Sequence, residues 1–149
     1  MTYDVTLVEV SEQHTAVRRG HVDHQGIAEF LGGAFSAVAG ALGVQGVQPV
    51  GPPFAKYLIA HDGGWDVEAG FPVVDPIEAD GDVVPSTLPG GTVAQTIHRG
   101  AYDQLASAYQ AVEAFISEAG MNLGDGAWES YLDDMDVPDH RTLVVMTCR

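Results

Sequence analysis

The chain carries one short pattern twice. Arg19-Gly20-His21-Val22-Asp23 leads into a helical stretch, and Arg99-Gly100-Ala101-Tyr102-Asp103 leads into another, 80 residues later in a chain of 149. A repeat at about half the chain length points to one domain built from two similar halves. Two halves related by a pseudo-two-fold axis leave a cleft between them, and function is expected there. The expected domain runs from 1 to 149, with halves of about 3–75 and 83–148.

Periodicity fills in the halves. Tyr3 to Arg19 mixes Val5, Leu7, Val8, Val10 and Val17 with polar residues and reads as a strand or a bent strand pair. Asp23 reads as a helix N-cap, and Ile27, Phe30, Leu31, Ala34, Val38, Ala41 and Leu42 then recur at helical steps until Gly43 and Gly46. Phe54 to His61 and Trp65 to Val74 read as strands around a turn at Asp62-Gly63-Gly64. Asp75 to Pro89, rich in Pro, Asp and Gly, reads as the crossover, and Thr92 to Arg99 as a strand. Leu105, Ala108, Tyr109, Val112, Phe115, Ile116 and Ala119 form a regular apolar stripe that Gly120 closes. Trp128 to Leu132 reads as a short strand, Asp133 to Asp139 as a loop, and Arg141 to Thr147 as a buried strand. Each half is then strand, helix, strand, strand. The expected fold class is α+β, an antiparallel sheet with both helices on one face and a ligand groove between the repeats.

Composition narrows the function classes. The balance of 6 Lys+Arg against 21 Asp+Glu gives a formal charge of -15, a surface that phosphate backbones repel and organic cations do not. Direct nucleic-acid binding is not expected. The carboxylates are scattered rather than gathered in a tail. One cysteine, Cys148, allows no internal disulfide and points to a reducing cytoplasm. The N-terminus has no basic and apolar leader pattern, and no apolar run reads as the roughly 20 residues of a membrane span.

An ordered set of short segments carries a family resemblance. Gly51-Pro52-Pro53-Phe54-Ala55-Lys56-Tyr57 comes first, then Asp66-Val67-Glu68-Ala69-Gly70-Phe71-Pro72-Val73. Leu88-Pro89-Gly90-Gly91, His98-Arg99-Gly100-Ala101-Tyr102-Asp103, Trp128-Glu129-Ser130-Tyr131 and Pro138-Asp139 follow in that order. The set resembles the gyrase-inhibitor-like small-molecule-binding domain, which also forms the effector-binding part of bacterial multidrug-responsive transcription activators. The resemblance covers nearly the whole chain. It implies two β-α-β-β repeats with a ligand groove between them, and amphipathic, often cationic or aromatic ligands. It also implies that Glu129 is the pocket acid. The activators carry a separate helix-turn-helix domain, for which this chain has no room, so it resembles a stand-alone member.

On a strand, Glu129 and Tyr131 share one face while Trp128 and Ser130 share the other. A carboxylate beside aromatic rings is a simple receptor for an organic cation. Glu68, alternating with Val67, Ala69 and Phe71, is the candidate second acid. Tyr57, Trp65, Phe71 and Tyr109 are the further candidate ligand-lining rings, although Tyr109 also sits on the apolar stripe of its helix.

Three readings follow. In the first, a binding module takes up an amphipathic cation or aromatic compound. In the second, a hydrolase opens cyclopropane-bearing or similar electrophiles, with Glu129 and Glu68 as its catalytic candidates. In the third, an acidic protein-binding modulator acts on a DNA-handling enzyme such as gyrase. His21 and His24 lack a well-spaced third ligand, so no metal is expected, and no motif calls for a cofactor. Cys148, Ser86 and Ser130 lack the neighbours of a nucleophile.

Overall fold

A computed structural model describes residues 3–23, 25–59, 64–134 and 136–149. In chain order the elements are β1 (Thr6–Val10), β2 (Gln13–Val22), α1 (Ile27–Gln45), β3 (Phe54–Ile59), β4 (Trp65–Pro72), β5 (Val83–Leu88), β6 (Gly91–Arg99), α2 (Leu105–Glu118), β7 (Leu123–Tyr131) and β8 (Arg141–Cys148). The fold is α+β, with antiparallel strand pairing throughout the described ladders.

Contacts divide the chain into two compact units. A central unit comprises Glu12–Pro89; a terminal unit comprises the described residues up to Ser11 together with Gly90–Arg149. In the central unit β4 lies between β3 and β2, and β5 flanks β2. In the terminal unit β8 lies between β7 and β6, and β1 flanks β6. The two β-α-β-β units, β2-α1-β3-β4 and β6-α2-β7-β8, therefore use the same strand order. Relative to the expected halves at 3–75 and 83–148, two strands change membership. β1 pairs with β6, Val8 opposite Val93, and β5 pairs with β2, Val17 opposite Val84.

The stretch read as a crossover thus contains a strand. Pro85 lies within β5 at an exposed position. A proline is tolerated on a strand with an unpaired edge, where its missing N–H removes no ladder bond. β7 also begins five residues before the expected Trp128. Its opening Gly124-Asp125-Gly126 has the look of a turn, but a register irregularity sits there between Leu123 and Ala127. The Thr147 hydroxyl accepts from the Gly126 N–H at 3.0 Å and compensates for the lost ladder bond.

α1 begins after Gly26 rather than at Asp23. The Asp23 carboxylate instead accepts the Gly26 N–H at 2.9 Å, one turn upstream of the helix. The helix runs through Gly32, Gly33, Gly40 and Gly43, all exposed, because Ala34, Val38, Ala41 and Leu42 are buried on its other face. Val38, Ala41 and Leu42 pack there with Ala16, Val73, Ile77 and Val83. Tertiary packing outweighs glycine's poor helix propensity here. It ends on left-handed Gly46, with the Val47 N–H on the Leu42 carbonyl at 2.9 Å. α1 is 19 residues long and contains an 18-residue window of mean hydropathy 1.6, so it is long and apolar enough to cross a membrane by length and composition. This corrects the expectation that no such run exists. α2 buries Leu105, Ala108, Val112 and Ile116 against Ala94, Val144, Met146 and Cys148. Left-handed Gly120 closes it. The expected turn at Asp62-Gly63-Gly64 lies mostly outside the described residues, as do Ala60, His61 and His24.

Candidate functional site

Register sets the faces of β7. Glu129 stands opposite Val144 and Tyr131 opposite Thr142. Val144 is in the core beneath α2, so Glu129 and Tyr131 look toward that helix while Trp128 and Ser130 look away. Tyr109 follows the buried Ala108 on α2 and reaches back toward the strand.

Three side chains meet there. The Tyr109 hydroxyl donates to Glu129 Oε1 at 2.7 Å, and the Tyr131 hydroxyl donates to Glu129 Oε2 at 2.7 Å. Glu129 is only 7% exposed, an acidic side chain in the interior. Burial pushes its carboxyl above the usual range, and the two phenol hydrogen bonds pull it partly back. Both of these hydrogen-bond donors are neutral. Neither of these two hydrogen bonds brings a positive charge to the buried carboxylate.

Two residues outside the expected set extend the cluster. Tyr102, in a 3-10 turn at Tyr102–Gln104, packs edge-on against Tyr131, with ring centroids 5.7 Å apart and planes at 77°. Its phenol is raised above the ordinary range, first by burial and then by the negative charges of Glu129 and Asp133. The His140 ring lies 4.5 Å from that of Tyr102. Asp133 anchors the connection that carries His140. It accepts from the Arg141 backbone N–H at 3.0 Å, from Nε at 2.9 Å and from Nη2 at 3.1 Å. This fork holds the Asp133 carboxyl down at about 2.

The remaining expected residues belong to the central unit. Tyr57 and Trp65 pair edge to face, with centroids 5.9 Å apart and planes at 79°. Phe71 meets Phe35 of α1 edge to face, with centroids 6.0 Å apart, and packs against the core. Glu68 accepts from Arg19 Nε at 2.7 Å and from the Ser86 hydroxyl at 2.8 Å. Its charge is matched and both oxygens are engaged. His21 Nδ1 pairs with Asp66 at 2.9 Å. Among the described residues no group of three or more His, Cys, Asp and Glu side chains converges in a way that could hold a metal ion.

Sequence comparison matches residues 3–146 to the GyrI-like small-molecule-binding domain. No curated protein sequence matches the chain. The fold is similar to that of the EcmrR C-terminal domain, with TM-score 0.84 and 21% identity over 100% of this chain and 99% of that one. In the EcmrR–DNA complex the match, with TM-score 0.80 and 22% identity, covers 99% of this chain and 57% of that chain. A hydrolase from Listeria innocua is similar with TM-score 0.69 and 13% identity, over 98% of this chain and 92% of that one. SAV2435 bound to tetraphenylphosphonium is similar with TM-score 0.66 and 13% identity, over 100% and 94%.

Proposed function

The chain belongs to the GyrI-like family of small-molecule-binding domains, and from that premise we propose that its terminal unit is a receptor for amphipathic organic cations. Glu129 supplies the counter-charge. Tyr131, Tyr109 and Tyr102 supply aromatic faces for the apolar part of the ligand. The observation that carries the reading is the buried Glu129 carboxylate, whose hydrogen-bond donors Tyr109 and Tyr131 are both neutral. An organic cation completes the charge pair that burial leaves open. The acidic total of -15 favours the approach of such a ligand.

The likeness to SAV2435 supplies a probe, tetraphenylphosphonium. Titration of the wild-type chain and Glu129→Gln with this cation tests the reading. The expected result is binding by the wild type and a loss of about 10- to 100-fold in the variant, which corresponds to about 1.4–2.8 kcal/mol. Equal affinities would remove Glu129 from the site.

Turnover is a weaker reading. It calls for Glu68 as a second acid, and Glu68 is engaged by Arg19 and Ser86. What favours it is the pair of phenols on a buried carboxylate, a set able to hold a proton beside a substrate. Mass spectrometry of bound electrophilic compounds separates the two readings. Recovery intact supports a receptor, and recovery with added water supports a hydrolase.

A further inference from the structure

We propose that Tyr3 and His98 form a positioning pair that sets where Tyr102 stands in the Glu129 cage, so that the segment leading into β1 regulates the affinity of the site. The inference rests on the cation-receptor reading and adds a control to it.

His98 lies on β6 and is wholly buried. Its Nε2 is 2.9 Å from the Ala101 carbonyl oxygen. A carbonyl only accepts, so Nε2 carries the hydrogen and donates. Its Nδ1 is 2.9 Å from the Tyr3 hydroxyl, and in the neutral ring that nitrogen accepts the hydroxyl hydrogen. The two rings lie 6.0 Å apart with planes inclined by 31°. An apolar residue would fill this space without needing partners. The imidazole is tolerated in the interior because both nitrogens are satisfied, and they fix two particular segments.

One of those segments carries Tyr102. The Ala101 carbonyl that accepts from His98 also accepts the Gln104 N–H at 3.2 Å, so His98 holds the oxygen on which the 3-10 turn begins; the Leu105 N–H on the Tyr102 carbonyl closes its far end. Gly100, at φ 101°, supplies the bend before it. The Gly100 N–H is fixed to the His140 carbonyl at 3.0 Å. Tyr102 is the next residue after Ala101, and its ring meets Tyr131, whose hydroxyl holds Glu129. Tyr3, His98, Ala101, Tyr102, Tyr131 and Glu129 are thus linked in unbroken contact or by the chain itself.

The other segment enters β1. Beside Tyr3, the Asp4 carbonyl accepts from the Thr96 hydroxyl at 2.9 Å. Two adjacent residues therefore moor this segment to β6. A displacement of the segment withdraws the Tyr3 hydroxyl, loosens the His98 ring and frees the peptide before Tyr102. Coupling of this kind is reciprocal, so a ligand that fixes Tyr102 also tightens the hold on Tyr3.

The test is a double-mutant cycle on the full chain with tetraphenylphosphonium as probe. Tyr3→Phe keeps the ring and removes only the hydroxyl. It is expected to weaken the probe's affinity about 3- to 20-fold in the wild-type background, and less than about 2-fold in a Tyr102→Ala background. No loss, or the same loss in both backgrounds, overturns the proposal. A second readout needs no ligand. With all five tyrosines isotope-labelled, the ring resonances of Tyr102 should move in Tyr3→Phe while those of Tyr57 stay in place. Unmoved Tyr102 resonances overturn the positioning role even if the probe binds. A wild-type chain that ignores the probe, with Tyr102 resonances that do move, sinks the receptor reading and leaves the positioning pair standing.

Discussion

The hydroxyl of Tyr109 and the Oε1 of Glu129 meet at 2.7 Å, one carried by α2 and the other by β7. The bond joins the helix layer to the strand layer through the only glutamate buried among the described residues. The Tyr131 hydroxyl completes the arrangement from the same strand as Glu129. Removing either phenol takes a donor from a charged acceptor in the interior, a change of about 1.5–3 kcal/mol. Tyr109→Phe and Tyr131→Phe should each destabilise the terminal unit by that order at pH 8. Each should also raise the Glu129 carboxyl further. Urea denaturation at pH 8 and at pH 4.5 checks this, because the loss should shrink where Glu129 is protonated.

Probe affinity should follow the charge of Glu129. Burial raises its carboxyl, so the folded protein holds this proton at pH values where the unfolded chain has released it. Between those two values stability declines as pH rises, since the native state binds more protons. A cation favours the ionised form. Affinity should therefore be full above the raised value and fall as pH drops through it, by at most about tenfold per pH unit. Tetraphenylphosphonium titrations between pH 4.5 and 8 measure the slope. Glu129→Gln should bind weakly and show no slope. A wild-type profile as flat as the variant's would detach the site from this carboxylate.

Much of the site follows from alternation along a strand. Glu129 and Tyr131, two apart, share a face for that reason alone, and the α2 stripe of Leu105, Ala108, Val112 and Ile116 is legible from its period. Tyr109 is ambiguous in sequence, because a tyrosine on a core stripe reads as packing until its hydroxyl is seen on Glu129. Tyr102 and His140 carry no periodic signal, being placed by a 3-10 turn and a loop from distant parts of the chain. The one clue to Tyr102 is in the duplicated pattern, where Val22 stands at the same place in the other copy. Pro85 hides β5, and Gly124 and Gly126 hide the start of β7, because both stretches carry turn residues at positions where the ladder is locally undemanding. Glu68 shows what alternation leaves out. Strand alternation makes it look available, and only the fold brings Arg19 and Ser86 onto its oxygens.

The glycines of the central unit should respond in opposite directions. Gly70 on β4 has no room for a side chain, since a methyl group there would overlap the Ala16 carbonyl oxygen on β2. The obstacle is backbone and cannot rotate away. Gly70→Ala should destabilise the chain by about 3 kcal/mol or more, through strand displacement. Gly40 lies mid-helix in α1, and a methyl group there would meet nothing within 4 Å. Gly40→Ala should stabilise by about 0.5–1 kcal/mol, because alanine loses less backbone freedom on entering the helix. Chemical denaturation of the two variants decides the matter, and stabilisation in both or loss in both would contradict it.

Acid should loosen the β7–β8 connection before it reaches the core. The Arg141 fork holds Asp133 at about 2, below its ordinary value of 3.8. A depressed carboxyl contributes stability that is complete above the ordinary value and disappears as pH falls through the depressed one. Asp133→Asn keeps the shape and removes the charge, so it should be less stable than the wild type at pH 6. The difference should narrow between about pH 4 and pH 2 and vanish below. The same variant should disturb the resonances of Tyr102, whose ring rests against His140 on this connection. Thermal melts across that range, with the Tyr102 signals followed in parallel, test both parts. A gap between wild type and variant that stays undiminished down to pH 2 would show that Asp133 acts through shape rather than charge.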